Sequence, residues 1–467
     1  MIYHRLGQLL RPPKYLPGSK RSKIDLSGIG CKQHFPDIKF VGGWDTVDAY
    51  GLPMDELKTA VDNWVWPMSF ADRDPSPQIK TLRHALSLDD ARPTFRPVLW
   101  NEVLPDAEYP NDRAKDKTLS SDSIQQVWFA GVHANVGGGY PDDGLAFTAL
   151  DWMMQEAKAA GLRYESWIED EIAARVNPHG EEYDSRAGIA GYYRYGPRDV
   201  SLLSNDVEYK VKVPKVRVSP EAFKRITAKR RDYAPVSLGC DFDAGAEAVK
   251  APDAAALENA RDLVWWRRIA YFVTLGLTIF LVLFVLGWIN PIVDVTERYL
   301  MLVWNCFTAL IGTTITNAIL SAWSWLLDHA GGVSGWISFV LPSFRHYPLT
   351  GLLAAGLLAL VFFLWSPKLE KRIETHAEWA WAEHKFLGME AQPKTGAYNW
   401  IARPLRPVTA FLYRWIWRKG VVNVLGILLG LLALLLLSPY WIWRLFIRPI
   451  YYRPPWLARF KLRRTPA

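Results

Sequence analysis

Cysteine is scarce in this sequence of 467 residues. Only three are present, Cys31, Cys240 and Cys306, and they lie far apart in the chain. An odd and widely spaced set builds neither a disulfide framework nor a zinc site made of cysteines, and it is typical of a reducing compartment. Charged residues are also few, at 22%, whereas 50% of the chain is hydrophobic and 13% is aromatic. That composition excludes a largely disordered protein and allows a sizeable core.

A secretory signal is missing too, because residues 1–23 are polar and basic and contain no apolar stretch. The formal net charge of +8 is mild. The basic run at residues 225–231 is accompanied by no recognised nucleic-acid motif, so it is interpreted as a solvated helix face. We therefore expect no nucleic-acid partner, and a basic protein this rich in tryptophan and leucine suggests a membrane protein.

Long apolar stretches occur only in the second part of the chain, where they predict a membrane region over residues 265–467 with about four transmembrane helices. Tryptophan and tyrosine cluster at the ends of these stretches, as at membrane–water interfaces. Basic residues before the first stretch and after the last one favour the cytoplasm for both ends. The basic residues between the third and fourth stretches would then lie in the opposite compartment, so either the third stretch is re-entrant or the charge rule is overridden here. We expect the lipid bilayer as a partner, with spans at residues 269–293, 299–327, 348–365 and 420–443.

A charged helix is predicted between the third and fourth spans, over residues 368–389. Its His376, Glu383 and His384 do not form the H-E-x-x-H pattern of a zinc enzyme. A solvated or interfacial helix explains them better than a metal site. The sequence therefore predicts no metal and no cofactor.

The first half of the chain has an α/β pattern. Short β-type runs at residues 38–42 and 126–131 are each followed by a glycine-containing turn with a polar residue, and residues 145–161 have helical spacing. In open α/β sheets, functional groups lie just beyond the carboxyl ends of the strands. That placement makes Asp45 and His133 candidate catalytic residues.

A histidine and a carboxylate form a catalytic pair when the imidazole takes a proton from a nucleophile and the carboxylate orients the ring. Asp45 precedes His133, which is the order of the last two members of an α/β-hydrolase triad. A lone aspartate in a strand-end turn is usually a cap or turn residue and a lone histidine usually a structural one, so spacing alone favours that interpretation of Asp45 and His133 over catalysis.

Three segments resemble the uncharacterised α/β-hydrolase domain family that includes type VI secretion phospholipase effectors. They read IKFVGGWDTVDAYGLP, RHALSLDDARPTFRPVLW and VWFAGVHANVGGGYPDDGLAFTALDWMMQEA, and together they cover roughly residues 35–180. The resemblance implies that Asp45 and His133 belong to a Ser-Asp-His triad acting on a lipid or another ester. It implies that Asn135 supports the histidine loop by hydrogen bonding. It also suggests a bacterial inner membrane, with the soluble domain in the cytoplasm.

The nucleophile of that family is missing from this sequence, which contains no G-x-S-x-G pattern. The segment before Asp45 is too short for the early strands, the nucleophile turn and its helix, and Ser27 is interpreted as a loop residue. We expect the C-terminal part of a hydrolase-like domain, inactive as this chain alone. A partner chain supplying the missing half-domain is one source of the serine.

The resulting fold class is α/β, an incomplete α/β-hydrolase-like sheet domain followed by an α-helical transmembrane region. We predict that domain over residues 1–240, a linker helix over 241–264 and the membrane region after it. A structural polar network is expected for His84 and the cluster Asp89-Asp90-Ala91-Arg92, with substrate binding by Arg92 or Arg96 as the alternative. The competing function is a non-catalytic integral membrane protein that uses a hydrolase remnant for binding.

Overall fold

A computed structural model describes residues 37–47, 55–61, 79–103, 123–207, 211–228, 233–245, 248–330, 342–385, 393 and 397–413, with 420, 422–424 and 427. In the first half it contains eight strands and six α-helices among these residues. The strands are β1 (Ile38–Trp44), β2 (Ile79–Ser87), β3 (Ile124–Phe129), β4 (Asn205–Asp206), β5 (Val211–Lys212), β6 (Arg217–Val218), β7 (Phe242–Asp243) and β8 (Ala248–Val249). The helices are α1 (Asp55–Ala60), α2 (His133–Gly137), α3 (Gly144–Ala159), α4 (Ser166–Arg175), α5 (Val200–Ser204) and α6 (Pro220–Thr227).

The main sheet has six strands in the order β1-β2-β3-β6-β7-β8. Within this sheet β1, β2, β3, β6 and β7 pair in parallel, and β8 pairs antiparallel to β7. A separate antiparallel pair is formed by β4 and β5. This mixed sheet with helices confirms the α/β class predicted from the sequence.

Helices cover both faces of the sheet. Side chains along a strand point alternately to opposite faces, so neighbouring residues of one strand pack against different helices. Trp128 of β3 belongs to a core cluster with Ile226 of α6, whereas its neighbour Phe129 packs in another cluster with Ala149 and Met153 of α3. Burial on both faces shows in the last six residues of β2 and the last four of β3, all of which are buried, including the polar Arg83, His84 and Ser87.

The second half is helical. A 32-residue helix begins at Ala254, where the Asp253 side chain accepts a hydrogen bond from the Ala256 amide. An unbroken helical segment also runs from Pro348 to Ala380 through one π-helical stretch at Leu360–Trp365. The helices are α7 (Ala254–Val285), α8 (Asn290–Ile311), α9 (Thr313–Ala330), α10 (Pro348–Ala359), α11 (Ser366–Ala380) and α12 (Ala397–Leu412).

Among the described helices, two are long and apolar enough to cross a membrane by length and composition. They are α7 and the continuous segment Pro348–Ala380, and only 22% and 33% of their most apolar stretches are buried inside the protein. The second of them contains the predicted third span, whereas α7 contains the predicted first span only as far as Val285. Residues 286–293 of that predicted span form a turn and the start of α8. The predicted fourth span, residues 420–443, lies almost entirely outside the described residues.

The second predicted span, residues 299–327, is divided in the structure. Gly312 has a φ of 90° and separates α8 from α9. That backbone conformation belongs to the left-handed side of the Ramachandran plot, which glycine adopts without steric cost. Average hydropathy does not register such a break, so the sequence predicted one helix where there are two.

The end of the sheet domain, predicted at residue 240, lies further along the chain in the structure. Strands β7 and β8 extend the sheet through Val249, and the helix predicted over residues 241–264 begins only at Ala254 and continues without interruption into the apolar stretch. Trp381, fully buried, joins the core of the sheet domain and donates its indole N–H to the Pro235 carbonyl at 3.0 Å. The helices are therefore packed onto the sheet domain directly.

Candidate active site

The candidate site lies where three neighbouring parallel strands end. Asp45 follows β1, Ser87 is the last residue of β2, and His133 begins α2 shortly after β3. Because β1, β2 and β3 are adjacent and parallel, their carboxyl ends meet at one edge of the sheet. The structure thus brings together the two residues that the sequence proposed from separate motifs.

The Asp45 carboxylate hydrogen-bonds the His133 ring, with 2.8 Å between Oδ2 and Nδ1. Asp45 is fully buried, whereas the His133 side chain is 31% exposed. Among the described residues none hydrogen-bonds the other ring nitrogen, Nε2. A carboxylate on Nδ1 favours the tautomer whose Nε2 accepts a proton, so the exposed edge of this ring has the geometry of a general base.

Positive φ angles occur in the backbone at Asp45 and just before His133, and they help to orient the two side chains. Asp45 has a φ of 39°, a left-handed conformation that Asp tolerates better than most residues. Before the histidine, Gly131 has a φ of 101°, and a Cβ added there would lie 2.5 Å from the Asn135 Cβ. Glycine is therefore required at this turn by both conformation and space.

Asn135 holds the histidine loop, as predicted. Its Oδ1 accepts a hydrogen bond from the Val132 amide at 3.2 Å, and its Nδ2 donates to the Glu181 carbonyl at 3.0 Å. The side chain is buried and lies inside this network. It supports the turn that carries His133.

Arg198 is the main residue of the site that the sequence analysis missed. Its guanidinium donates to Asp45 Oδ1 at 2.6 Å and to Oδ2 at 2.8 Å, and also to the backbone carbonyls of Ser87 and Phe95. Burial by itself raises the pKa of Asp45, but the Arg198 charge and the hydrogen bonds from His133 and Arg198 hold that pKa well below its usual range. Asp45 is therefore a permanent carboxylate near neutral pH.

Ser87 contacts Asp45 and Arg198, but its hydroxyl is not in the position of a nucleophile. Its amide donates to Asp45 Oδ1 at 2.9 Å and its hydroxyl to Oδ2 at 3.3 Å. The side chain is fully buried, and its hydroxyl contacts the aspartate rather than the exposed edge of His133. Ser27 lies outside the described residues.

Arg92 is in polar contacts within the protein, as the structural interpretation predicted, and Arg96 also forms an ion pair within the protein. Arg92 forms an ion pair with Asp90 and its guanidinium lies 3.4 Å from the centre of the Phe95 ring. Arg96 forms an ion pair with Asp206. The Phe95 ring contacts His133 edge-on with 5.3 Å between ring centres, so this loop forms one wall beside the histidine.

His84 is a buried structural histidine. Its Nε2 accepts a hydrogen bond from the Thr46 amide at 3.0 Å, next to Asp45. Burial lowers the pKa of His84 to about 4, so the ring is neutral and can act as this acceptor. Among the described residues there is no group of three or more His, Cys, Asp or Glu side chains that could hold a metal ion.

Asp89 gives the histidine loop a pH-dependent contribution to stability. Its Oδ2 accepts hydrogen bonds from the Gly131 amide and the Tyr233 hydroxyl, both at 2.7 Å. Burial nevertheless raises the pKa of Asp89 to about 6, and Glu182 nearby has a pKa raised to about 8, also by burial. Ionising these carboxyl groups therefore costs more in the folded chain than in the unfolded chain.

We expect Asp89→Asn to remove part of the pH dependence of stability. In the wild type, the protonated Asp89 carboxyl contributes to the free energy of unfolding because its pKa is higher in the folded chain than in the unfolded chain. This contribution is fully present below the unfolded pKa of about 4 and is lost as the pH rises through the folded pKa of about 6. The neutral asparagine oxygen keeps an acceptor without this loss of stability, which amounts to roughly 3 kcal/mol. Unfolding midpoints between pH 4 and 7 measure it, with Glu171→Gln on exposed α4 as the control. Parallel pH profiles for wild type and Asp89→Asn would contradict the expectation.

Comparison with known proteins identifies a likeness over the part of the chain that contains the site. Residues 19–156 match the family model described as T6SS, Phospholipase effector Tle1-like, catalytic domain. That range includes both Asp45 and His133. No curated protein and no solved structure matches the chain. The chain thus resembles type VI secretion phospholipase effectors over this range, which suggests a lipid hydrolase-like function.

Proposed function

We propose that this chain carries the acid and base of a membrane-anchored serine hydrolase that acts on lipid esters. One observation carries the proposal: the 2.8 Å contact between Asp45 and the Nδ1 of a His133 ring whose opposite edge is exposed. Arg198 keeps Asp45 ionised, so the carboxylate is available to stabilise the imidazolium that forms during catalysis. The match to the phospholipase effector family supports lipid as the substrate class.

In this mechanism His133 Nε2 takes the proton of a serine hydroxyl as the serine oxygen attacks the ester carbonyl. The tetrahedral intermediate collapses, the C–O bond to the alcohol breaks, and the imidazolium returns the proton to the departing alcohol. Water then attacks the acyl-enzyme by the same proton route and releases the fatty acid. Asp45 holds the ring and remains unprotonated throughout.

The serine in this proposal comes from a segment or a partner chain outside the present sequence, which contains no G-x-S-x-G. Among the described strands, β1 pairs on one side with β2 and with no strand on the other, and its Ile38 and Trp44 are more than a third exposed. A strand edge of this kind pairs readily with another strand. We propose that the missing half of the sheet joins here, and that this chain alone is inactive.

Membrane attachment is the second part of the proposal. The helix α7 and the segment Pro348–Ala380 supply two apolar helices next to the sheet domain, so the bilayer is both the anchor and the source of substrate. We propose an inner-membrane location with the sheet domain on the cytoplasmic side. The competing function, a non-catalytic binding protein built on the same domain, is favoured by the missing G-x-S-x-G pattern.

Phospholipid hydrolysis in detergent–lipid micelles tests the proposal. The chain alone is compared with the chain produced together with the in-frame sequence upstream of its first codon. We expect hydrolysis only from the extended form, and only when it brings a G-x-S-x-G serine. If the short chain is active and the activity persists in His133→Ala, His133 is not the general base and the proposal is overturned. If Ser27→Ala abolishes activity of the short chain, the nucleophile is Ser27 of this chain and not a serine encoded upstream. If the upstream sequence encodes no such serine and neither form is active, the binding protein is the better description.

A further inference from the structure

A cavity of about 1010 Å³ lies between the sheet domain and the base of the helical region. Its walls come from the loop at residues 194–199, from α7 and from α12. The walls are tied together by a hydrogen bond of 2.9 Å from the Trp265 indole N–H to the Thr409 hydroxyl. The cavity is therefore a built feature where the first apolar helix leaves the sheet domain.

The lining of this cavity is strongly basic. The described residues that line it include six arginines and two acidic residues, Asp199 and Glu258. Most of these arginines are neutralised by carboxylates in or behind the wall. The ion pairs are Arg194 with Glu56, Arg198 with Asp45, Arg261 with Asp199 and Glu258, Arg403 with Asp262, and Arg406 with Glu258 and Asp262.

Arg268 is different from the other five. Its Nε donates to the Tyr195 carbonyl at 3.3 Å, and among the described residues no carboxylate lies within ion-pairing distance. Arg194 and Arg406 are close enough for their charges to act unfavourably on it. A cation among cations in a partly enclosed space is stabilised by an anionic ligand.

The position of Arg268 on α7 identifies the class of anion. It is the last charged residue before the apolar stretch of that helix, and Ile269 and Phe272 continue the same cavity wall toward that stretch. Phe272 is 37% exposed, and Pro407 and Ala410 of α12 also line the cavity. The cavity thus has a cationic part and an apolar part, which is the polarity of a phospholipid.

We propose that this cavity binds the phosphate of an anionic phospholipid, with the phosphate on Arg268 and the first part of the acyl chains along Ile269 and Phe272. The guanidinium suits a phosphate because its N–H groups match two phosphate oxygens. The site stands apart from the hydrolysis proposed above, since binding needs no attacking serine. Arg198 lies in the cavity wall and holds Asp45, so an occupied cavity would contact the residue that keeps the candidate acid ionised.

Equilibrium binding of a fluorescent short-chain phosphatidylglycerol to the full chain in nonionic detergent tests the proposal. Phosphatidylcholine with the same acyl chains reports the contribution of net charge, and glycerol phosphate reports the headgroup without chains. We expect Arg268→Gln to weaken phosphatidylglycerol binding about tenfold, because a hydrogen-bonded charge pair is lost. Arg268→Lys should recover part of the affinity. Arg175→Gln, which removes one exposed charge on α4, should leave it unchanged.

The results separate the sources of phosphate. Tight phosphatidylglycerol binding with weak glycerol phosphate binding, both dependent on Arg268, supports a lipid site. Equal Arg268-dependent binding of glycerol phosphate overturns the lipid assignment and makes the cavity a site for a free phosphate ester. Unchanged phosphatidylglycerol binding in Arg268→Gln overturns the site itself.

Discussion

Replacing Arg198 with methionine is expected to lower the free energy of unfolding by about 3–5 kcal/mol, because it breaks a buried ion pair. The substitution keeps much of the side-chain volume but leaves the Asp45 carboxylate fully buried without its cation. It also leaves two backbone carbonyls, those of Ser87 and Phe95, without their donor. Denaturant unfolding followed by circular dichroism measures the change.

A double substitution distinguishes the lost ion pair from lost packing. In Asp45→Asn/Arg198→Met neither charge is left buried alone, so the combined cost should be smaller than the sum of the two single costs. Arg96→Met is the matched control, because its side chain is 43% exposed and exposed ion pairs contribute less than about 1 kcal/mol. Additive costs, or an Arg198→Met effect as small as that of Arg96→Met, would show that the guanidinium does not stabilise Asp45.

The juxtaposition of Asp45 and His133 could be predicted from the sequence because it depends on short-range pattern and sheet geometry. Each residue follows a β-type run and a glycine-containing turn, and neighbouring parallel strands end at one edge. Ser87 ends the strand between them in the same way and could have been found by the same reasoning. What the sequence did not indicate is that its hydroxyl would point to Asp45.

Arg198 could not be predicted in the same way. It lies in a loop after Gly196 and Pro197, 153 residues from Asp45 in sequence, and no periodicity connects the two. A general argument was available: a carboxylate buried at a strand end needs a cation. This reasoning predicts that Asp45 has a cationic partner, but it does not identify Arg198 among the arginines of the chain.

The helical half shows a second limit of sequence reasoning. Hydropathy identified the apolar stretches that became α7 and the segment Pro348–Ala380, but it joined α8 and α9 across Gly312. It also ended the sheet domain too early, because β7 and β8 have only two residues each and such strands show no alternation. Average polarity over a window reports neither a single backbone break nor a two-residue strand.

Substitution of His133 with alanine is expected to have the largest effect on activity. In the extended, serine-containing form, kcat for phospholipid hydrolysis should fall by roughly 10³–10⁴, because the serine loses its general base. KM should change little, since the ring acts on the proton in transit and not on the bound lipid. Initial rates over a range of lipid mole fractions measure both constants.

Asp45→Asn should reproduce most of this loss by a different physical route. The amide cannot stabilise the imidazolium, and its NH₂ group favours the ring tautomer with the proton on Nε2, which cannot accept the serine proton. His179→Ala, an exposed histidine of the same domain, is the control for loss of an imidazole as such. Because Asp45 also balances Arg198, each variant needs its unfolding midpoint measured beside its rate. A folded Asp45→Asn protein with wild-type kcat would show that the aspartate has no part in catalysis and that its function is structural, through its contacts with Arg198 and Ser87.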